Sequence, residues 1–260
     1  SSSEPKVYKT EVAIIGAGFG GIATAIRLLQ SDIQDFVILE KAEDVGGTWR
    51  ENQYPGAACD VQSHMYSLSY APKTDWSKRY AEAPEIFEYI QSLISDYQLK
   101  PHIQFNQQVM STRYLEDRCL WQIETASGDK LEAQFLIFAS GPLHVAQIPK
   151  IKGIELFKYI PEIAPQTKQL YVFQRTAAWV IPRDERQYNA LDQRLFAKYD
   201  WFRKLHRARL YWSNESRVVP IVQPQLMKAG QKLAELFIGY QVKDKTTARK
   251  LTPDYTMGCK

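Results

Sequence analysis

Glycine is missing from a long part of this 260-residue sequence: none occurs between Gly153 and Gly230. That void excludes a glycine-rich phosphate loop anywhere in the second half up to Gly230. Cysteine is scarce, with only Cys59, Cys119 and Cys259, an odd number without framework spacing. A disulfide scaffold is therefore excluded, and free thiols in a reducing compartment are expected. The four histidines, His64, His102, His144 and His206, have no zinc-like spacing, so no metal site is expected. Excess charge is also lacking: the net +4 at neutral pH does not by itself call for nucleic acid or a membrane surface. No apolar run approaches the length of a membrane span, and the opening "SSSEPKVYKT" has no apolar signal segment. A cytoplasmic protein without a transmembrane segment is expected.

What is present is an ordered start. "EVAIIGAGFGGIATAIRLLQ" passes from an apolar strand, Val12 to Ile15, through Gly16-x-Gly18-x-x-Gly21 into a helix. Gly16 permits a tight turn, Gly18 lets backbone approach a pyrophosphate, and Gly21 lets helix pack on strand. The helix N-terminus then offers unpaired N–H groups and the positive end of its dipole. A second strand, "FVILE", ends in Glu40, 19 residues beyond Gly21, where an acid accepts hydrogen bonds from a ribose. A lone GxGxxG is a weak signal; strand, loop, helix, strand and terminal acid in order are strong. The carboxylate of Glu40 repels a 2′-phosphate, so this site is expected to take FAD or NAD and not NADP.

The next stretch, "KAEDVGGTWRENQYPGAACDVQSHMYSLSYAP", is loop-rich, and composition assigns it nothing. It closely resembles the Baeyer–Villiger monooxygenases, enzymes that use FAD and NADPH to insert oxygen beside a carbonyl. Further matching text lies at 81–90, 135–154, 160–183 and 251–260, so the resemblance covers nearly the whole chain. It implies an α/β fold with a Rossmann-type FAD-binding domain (1–141), an incomplete NADPH-binding remnant (142–183) and a helical region (184–260). It also implies that Thr48 and Trp49 of "GGTW" lie along the flavin. Ala58, Cys59 and Asp60 of "GAACD", with Tyr66 beyond, are expected to bind cofactor, Asp60 near the flavin ring and in a catalytic role. Val109 matches a position whose backbone touches adenine. For Trp49 and Val109 ordinary packing, and for Asp60 a turn-capping carboxylate, are the alternative readings.

In the resembling family a fingerprint segment and a second glycine loop precede "IPEIAP". Here Phe157-Lys158 runs directly into Tyr159-Ile160-Pro161, so about thirty residues, a βαβ unit's worth, are wanting. The strand "YVFQRT" survives, and the resemblance implies that Arg175, Thr176 and Lys260 hold the 2′-phosphate of NADPH, Arg175 as a bidentate guanidinium. The family places a catalytic arginine directly after the position of Lys260. The expected function is oxygenation of a small-molecule ketone or soft heteroatom with O2, the 260-residue chain being an incomplete form. An inactive FAD-binding remnant and a monooxygenase acting on nitrogen or sulfur are the alternatives.

Elsewhere, "PEIFEYIQSLISDYQL" places Pro84 in a first helical turn with Ile86, Ile90, Leu93 and Tyr97 on one face. "LWQIETASGDKLEAQFLIF" reads as a hairpin turning at Ser127-Gly128-Asp129. Between 184 and 250, Leu191, Leu195, Tyr199, Phe202 and Leu205 form one helical stripe, and Leu226, Leu233, Phe237 and Tyr240 another. Arg203, Lys204, Arg207 and Arg209 read as a solvated helix face, with no nucleic acid expected.

Overall fold

The structure is a computed structural model that describes residues 7–141, 168, 176–182, 184–216 and 224–257. Its contacts divide the chain into two units: residues 1–59 with 81–160, and residues 60–80 with 161–260.

The first unit is built on a six-stranded sheet of order β3-β2-β1-β6-β5-β4. The apolar run at the start becomes β1 (Val7–Ile15), followed by α1 (Phe19–Gln30) and β2 (Phe36–Leu39). β1 and β2 are parallel, paired from Val12↔Phe36 to Ile15↔Leu39. All four residues of β2 are buried, as befits a strand covered on both faces. α2 (Thr48–Glu51) and α3 (Ser63–Tyr66) are single turns, and α3 belongs to the second unit. α4 (Ala83–Asp96) has Pro84 in its first turn and buries Ile86, Tyr89, Ile90 and Leu93. The short β3 (Ile103–Gln104) extends the parallel set beside β2.

β4 (Val109–Leu115), β5 (Leu120–Thr125) and β6 (Lys130–Phe138) form an antiparallel meander. The β5–β6 turn is the expected Ser127-Gly128-Asp129, with Gly128 at φ +87°, a conformation that favours glycine. β6 then runs parallel to β1 from Val7↔Lys130 to Ile15↔Phe138, so one strand joins meander and parallel sheet. Arg118 donates to both carboxylate oxygens of Glu132 at 2.6 and 2.7 Å, tying the β4–β5 turn to β6. Ala13, Val37, Leu39, Ile123, Leu131 and Ala133 make a core that crosses from one half of this sheet to the other.

The second unit is helical: α5 (Ala190–Lys198), α6 (Asp200–Glu215), α7 (Pro224–Gln241) and α8 (Lys245–Leu251). Asn189 opens α5 with a capping box, accepting from the Asp192 N–H at 2.9 Å while its own N–H donates to Asp192. The segment 60–80 is sewn to these helices through the backbone. The Arg79 N–H donates to the Arg186 carbonyl at 2.8 Å, and the Tyr188 N–H to the Ser77 carbonyl at 2.8 Å. Gln62 and Asn214 exchange side-chain amide bonds, and Arg207 donates to the carbonyls of His64 and Ser67.

The two helical stripes read from the sequence face mainly outward. Leu191, Tyr199 and Leu205 are exposed, as are Leu226, Leu233 and Tyr240. Packing uses other faces: Phe196 and Leu210 are buried on α5 and α6, and Met227, Ala234 and Ile238 on α7. Both faces of these helices carry apolar residues, so periodicity alone selected the wrong one.

Candidate functional site

The glycine loop follows the end of β1, and each of its glycines has a different physical reason. Gly16 has φ +103°, and a Cβ there would lie 2.7 Å from the carbonyl oxygen of Ala139 at the end of β6. Gly21 is tighter still, because a Cβ would fall 1.9 Å from the Gly16 carbonyl oxygen. These two are demanded by the fold itself. Gly18 is not: its nearest neighbour for a Cβ is the Gly47 Cα at an ordinary 3.7 Å.

The loop is held rigidly. The Gly16 N–H donates to the Leu39 carbonyl at 2.9 Å, the Gly46 N–H to the Ala17 carbonyl at 3.0 Å, and the Ala139 N–H to the Ile15 carbonyl at 2.9 Å. Glu40 is buried just past β2, and its two carboxylate oxygens accept from the Ala17 N–H at 2.7 Å and the Ala42 N–H at 3.0 Å. One acid thus fixes both the loop and its own turn, and each oxygen keeps a further lone pair for a hydroxyl. The N-cap of α1 is Gly18, which has no side chain to cap the helix, and the positive end of the helix dipole lies at this loop.

"GGTW" forms the opposite wall. Gly46 (φ +114°) and Gly47 (φ +51°) both have left-handed backbone, and a Cβ on Gly47 would come 3.1 Å from the Gly18 Cα. Two glycines therefore meet back to back across a narrow gap. Thr48 opens α2, and the Trp49 N–H donates to the Gly46 carbonyl at 3.1 Å. Beside this wall lies an open cleft of about 440 Å³ lined by Ala42, Glu43, Arg50, Glu51 and Asn106. The Nε of Arg50 is buried without a hydrogen-bond partner among the described residues. Arg50 and Asn106 escaped the sequence reading; the arginine directly after "GGTW" was the available signal.

"GAACD" is divided. Ala58 bridges Glu82, and the N–H of buried Cys59 donates to the Ala81 carbonyl at 3.0 Å, so both belong to the first unit. Asp60, which is exposed, begins the second unit, and Tyr66 ends α3 there. Val109 opens β4, paired with Thr125 and packed against the core, which is the ordinary strand reading weighed for it. Thr176 is exposed in the second unit, whereas Arg175 and Lys260 lie outside the described residues. The structure thus brings Gly16, Gly18, Gly21, Glu40, Thr48 and Trp49 into one unit with Ala58, Cys59 and Val109.

In the second unit His64 and His206, separated widely in sequence, share an aromatic cluster with Tyr188 and Phe196. Their rings are 5.2 Å apart, and the Tyr188 hydroxyl is 3.3 Å from the His206 Nε2. Burial, then the nearby His206, Arg203 and Arg207, pushes His64 from its ordinary 6.5 down to about 3. His206 is lowered too, first by burial and then by Arg79, Arg186 and Arg209. Among the described residues no three His, Cys, Asp or Glu side chains converge as metal ligands, and no helix is long and apolar enough to cross a membrane.

Comparison with known proteins bears on both units. Residues 13–181 match the family described as pyridine nucleotide-disulphide oxidoreductase. A Baeyer–Villiger monooxygenase of Pseudomonas aeruginosa is 36% identical over 96% of this chain and 54% of its own length. One of Streptomyces coelicolor is 34% identical with the same coverage. The first alignment runs over 282 positions although 96% of this chain is about 250 residues, so about thirty positions of the relative face no residue here. Among solved structures, an oxidized steroid monooxygenase bound to NADP superposes with a TM-score of 0.82 at 27% identity, covering 96% of this chain and 61% of the other. An open form of cyclohexanone monooxygenase, at 24% identity and a TM-score of 0.80, shares the fold. This chain spans about half the length of the curated relatives it matches. With its glycine loop, terminal acid and "GGTW" wall in place, the chain belongs to the pyridine nucleotide-disulphide oxidoreductase family, among relatives that are Baeyer–Villiger monooxygenases.

Proposed function

We propose that this chain is the FAD-binding portion of a flavin-dependent monooxygenase of Baeyer–Villiger type. Such an enzyme uses NADPH and O2 to oxygenate a small ketone or a soft heteroatom. The observation that carries the proposal is the unequal packing of the three loop glycines. Gly16 and Gly21 are required by the protein's own packing, whereas a Cβ at Gly18 would meet only an ordinary 3.7 Å contact with Gly47. A pyrophosphate at the α1 N-terminus would need the backbone bare there to come close, and its charge would meet the positive end of the helix dipole. Glu40, already oriented by two N–H donors, accepts from the ribose hydroxyls. The cleft beside Arg50 and Asn106 is wide enough for the adenosine half of the ligand.

The bound flavin would supply the redox and oxygen chemistry, as cofactors do. This chain's residues grip and orient it: the loop fixes the phosphates, Glu40 the ribose, and Thr48 with Trp49 border the path beyond the pyrophosphate. Asp60 would contribute a negative charge near the reacting end. Arg175, Thr176 and Lys260 would recognise the 2′-phosphate of NADPH, and a charge-assisted bidentate contact there is worth about 1.5–3 kcal/mol.

The direct experiment is titration of purified protein with FAD and, separately, NAD. Yellow protein, or uptake of FAD with quenched flavin fluorescence, is the supporting result; uptake of NAD without FAD would assign the site elsewhere. A second reading, an FAD-binding form that does not oxygenate, is favoured by the glycine void from Gly153 to Gly230 and by the relative's unmatched positions. Supplied with FAD, NADPH, O2 and a simple ketone, protein of confirmed 30.0 kDa mass is then expected to form no ester.

A further inference from the structure

α3 is a single turn, and a turn that short has no stability of its own, since its one set of bonds does not offset the backbone freedom it removes. Yet the residues around it are those the flavin reading uses. Asp60 stands two positions before its N-cap, Gln62, and Tyr66 is its last residue. Part of what holds the turn is local, the Ser63 N–H donating to the Arg79 carbonyl at 2.7 Å and the Ser63 hydroxyl to the Lys78 carbonyl at 2.8 Å. The rest comes from one face of α6.

Arg207 and Asn214 lie about two turns apart on α6 and so share a face, with buried Leu210 between them. Asn214 takes the front of α3. Its amide nitrogen donates to the Gln62 side-chain oxygen at 2.9 Å, and the Gln62 amide nitrogen donates back at 3.2 Å. Gln62 is buried, so this reciprocal pair is sheltered from water. Arg207 takes the back. It donates to the Ser67 carbonyl at 3.0 Å and to the His64 carbonyl, meeting acceptors that a helix leaves bare at its C-terminal end. By sequence Arg207 belongs to a solvated basic face; in the structure it is half-buried against α3.

We propose that Arg207 and Asn214 are positioning residues, through which α6 sets the shape of the turn between Asp60 and Tyr66 and so presents those two to the flavin. The inference rests on the FAD role proposed above for Asp60 and Tyr66. Neither Arg207 nor Asn214 needs to touch the cofactor. Their bonds to α3 lie wholly within the second unit, so the turn is formed before any cofactor arrives. A turn formed in advance spares binding the cost of ordering it.

The test is amide hydrogen exchange of segment 60–68, read by mass spectrometry in the 260-residue protein with and without FAD. In the parent, FAD is expected to slow exchange in this segment. In Asn214→Ala and in Arg207→Met, exchange there without FAD is expected to be about tenfold faster, with β1, α1 and β2 unchanged. Both variants still take up FAD through the glycine loop, but FAD no longer slows exchange at 60–68. Adding Gln62→Ala to Asn214→Ala changes nothing more, because the two amides act as one pair. If Arg207→Met melts the second unit as a whole, the uncharged Asn214→Ala decides. A parent that takes up no FAD would overturn the flavin reading and this role with it. FAD that binds the parent without slowing exchange at 60–68, or protection that persists in both variants, would leave FAD binding standing and overturn the positioning role alone.

Discussion

The two units of this chain obey the sequence in opposite ways. In the first, two glycines chosen by motif, Gly16 and Gly21, sit where steric contact leaves no alternative. A Cβ on Gly21 would lie 1.9 Å from a backbone oxygen, and one on Gly16 2.7 Å from another. In the second, the residues chosen by periodicity face solvent, because both sides of each helix are apolar and only tertiary partners decide between them. A clash is local information that a short motif can carry. A choice between two adequate faces is not.

The largest way to break this comparison is Gly21→Val. With the Gly16 carbonyl oxygen 1.9 Å from the new Cβ and the Ile14 side chain 3.5 Å away, the substitution is expected to cost more than about 4 kcal/mol and to unfold the first unit. The measurement is a thermal melt with FAD uptake; a folded, FAD-binding variant would show that the loop is looser than its contacts indicate.

Acid is expected to act on the second unit. His64 and His206 are held neutral in the folded state, below their ordinary 6.5, while the unfolded chain takes up protons there. Stability is therefore full above about pH 6.5 and falls by a few kcal/mol in all as the pH drops toward 3. Unfolding midpoints across that range check this. His64→Phe should flatten the slope, and an unchanged slope would remove His64 from the account.

A smaller effect is expected at Asn189. Loss of its capping-box bonds in Asn189→Ala should destabilise α5 by about 1 kcal/mol, read as a lower urea midpoint at unchanged slope. The smallest belongs to Leu233→Glu, which should leave the unfolding free energy of the monomer within about 0.5 kcal/mol, as for surface positions generally. A large loss there would mean that the exposed face of α7 is internal packing after all.

Much of the first unit was legible in the sequence. The β1–loop–α1–β2 order, Glu40 as terminal acid, the buried face of α4 and the Ser127-Gly128-Asp129 turn all rest on contacts close in sequence or on one residue's backbone needs. The allegiance of residues 60–80 was not legible. It depends on bonds such as Arg79 N–H to the Arg186 carbonyl, and no local pattern encodes a partner so far along the chain. The same holds for His64, for which the sequence offered no pattern to read. Its burial comes from Tyr188, Phe196 and His206. "GAACD" was read as one motif, yet the boundary between the units falls inside it, between Cys59 and Asp60.

The central claim is that the glycine loop, Glu40 and the "GGTW" wall of the first unit hold FAD, with Gly18 kept for the ligand and not for the fold. It is tested most directly by calorimetric titration of FAD into the parent protein and into Gly18→Ala, with melting curves of both. The account predicts nearly equal melting without FAD, because a β-carbon at Gly18 meets only an ordinary 3.7 Å contact, together with loss of FAD binding in the variant. Equal FAD affinity in the two proteins, or NAD binding in place of FAD by the parent, would contradict it.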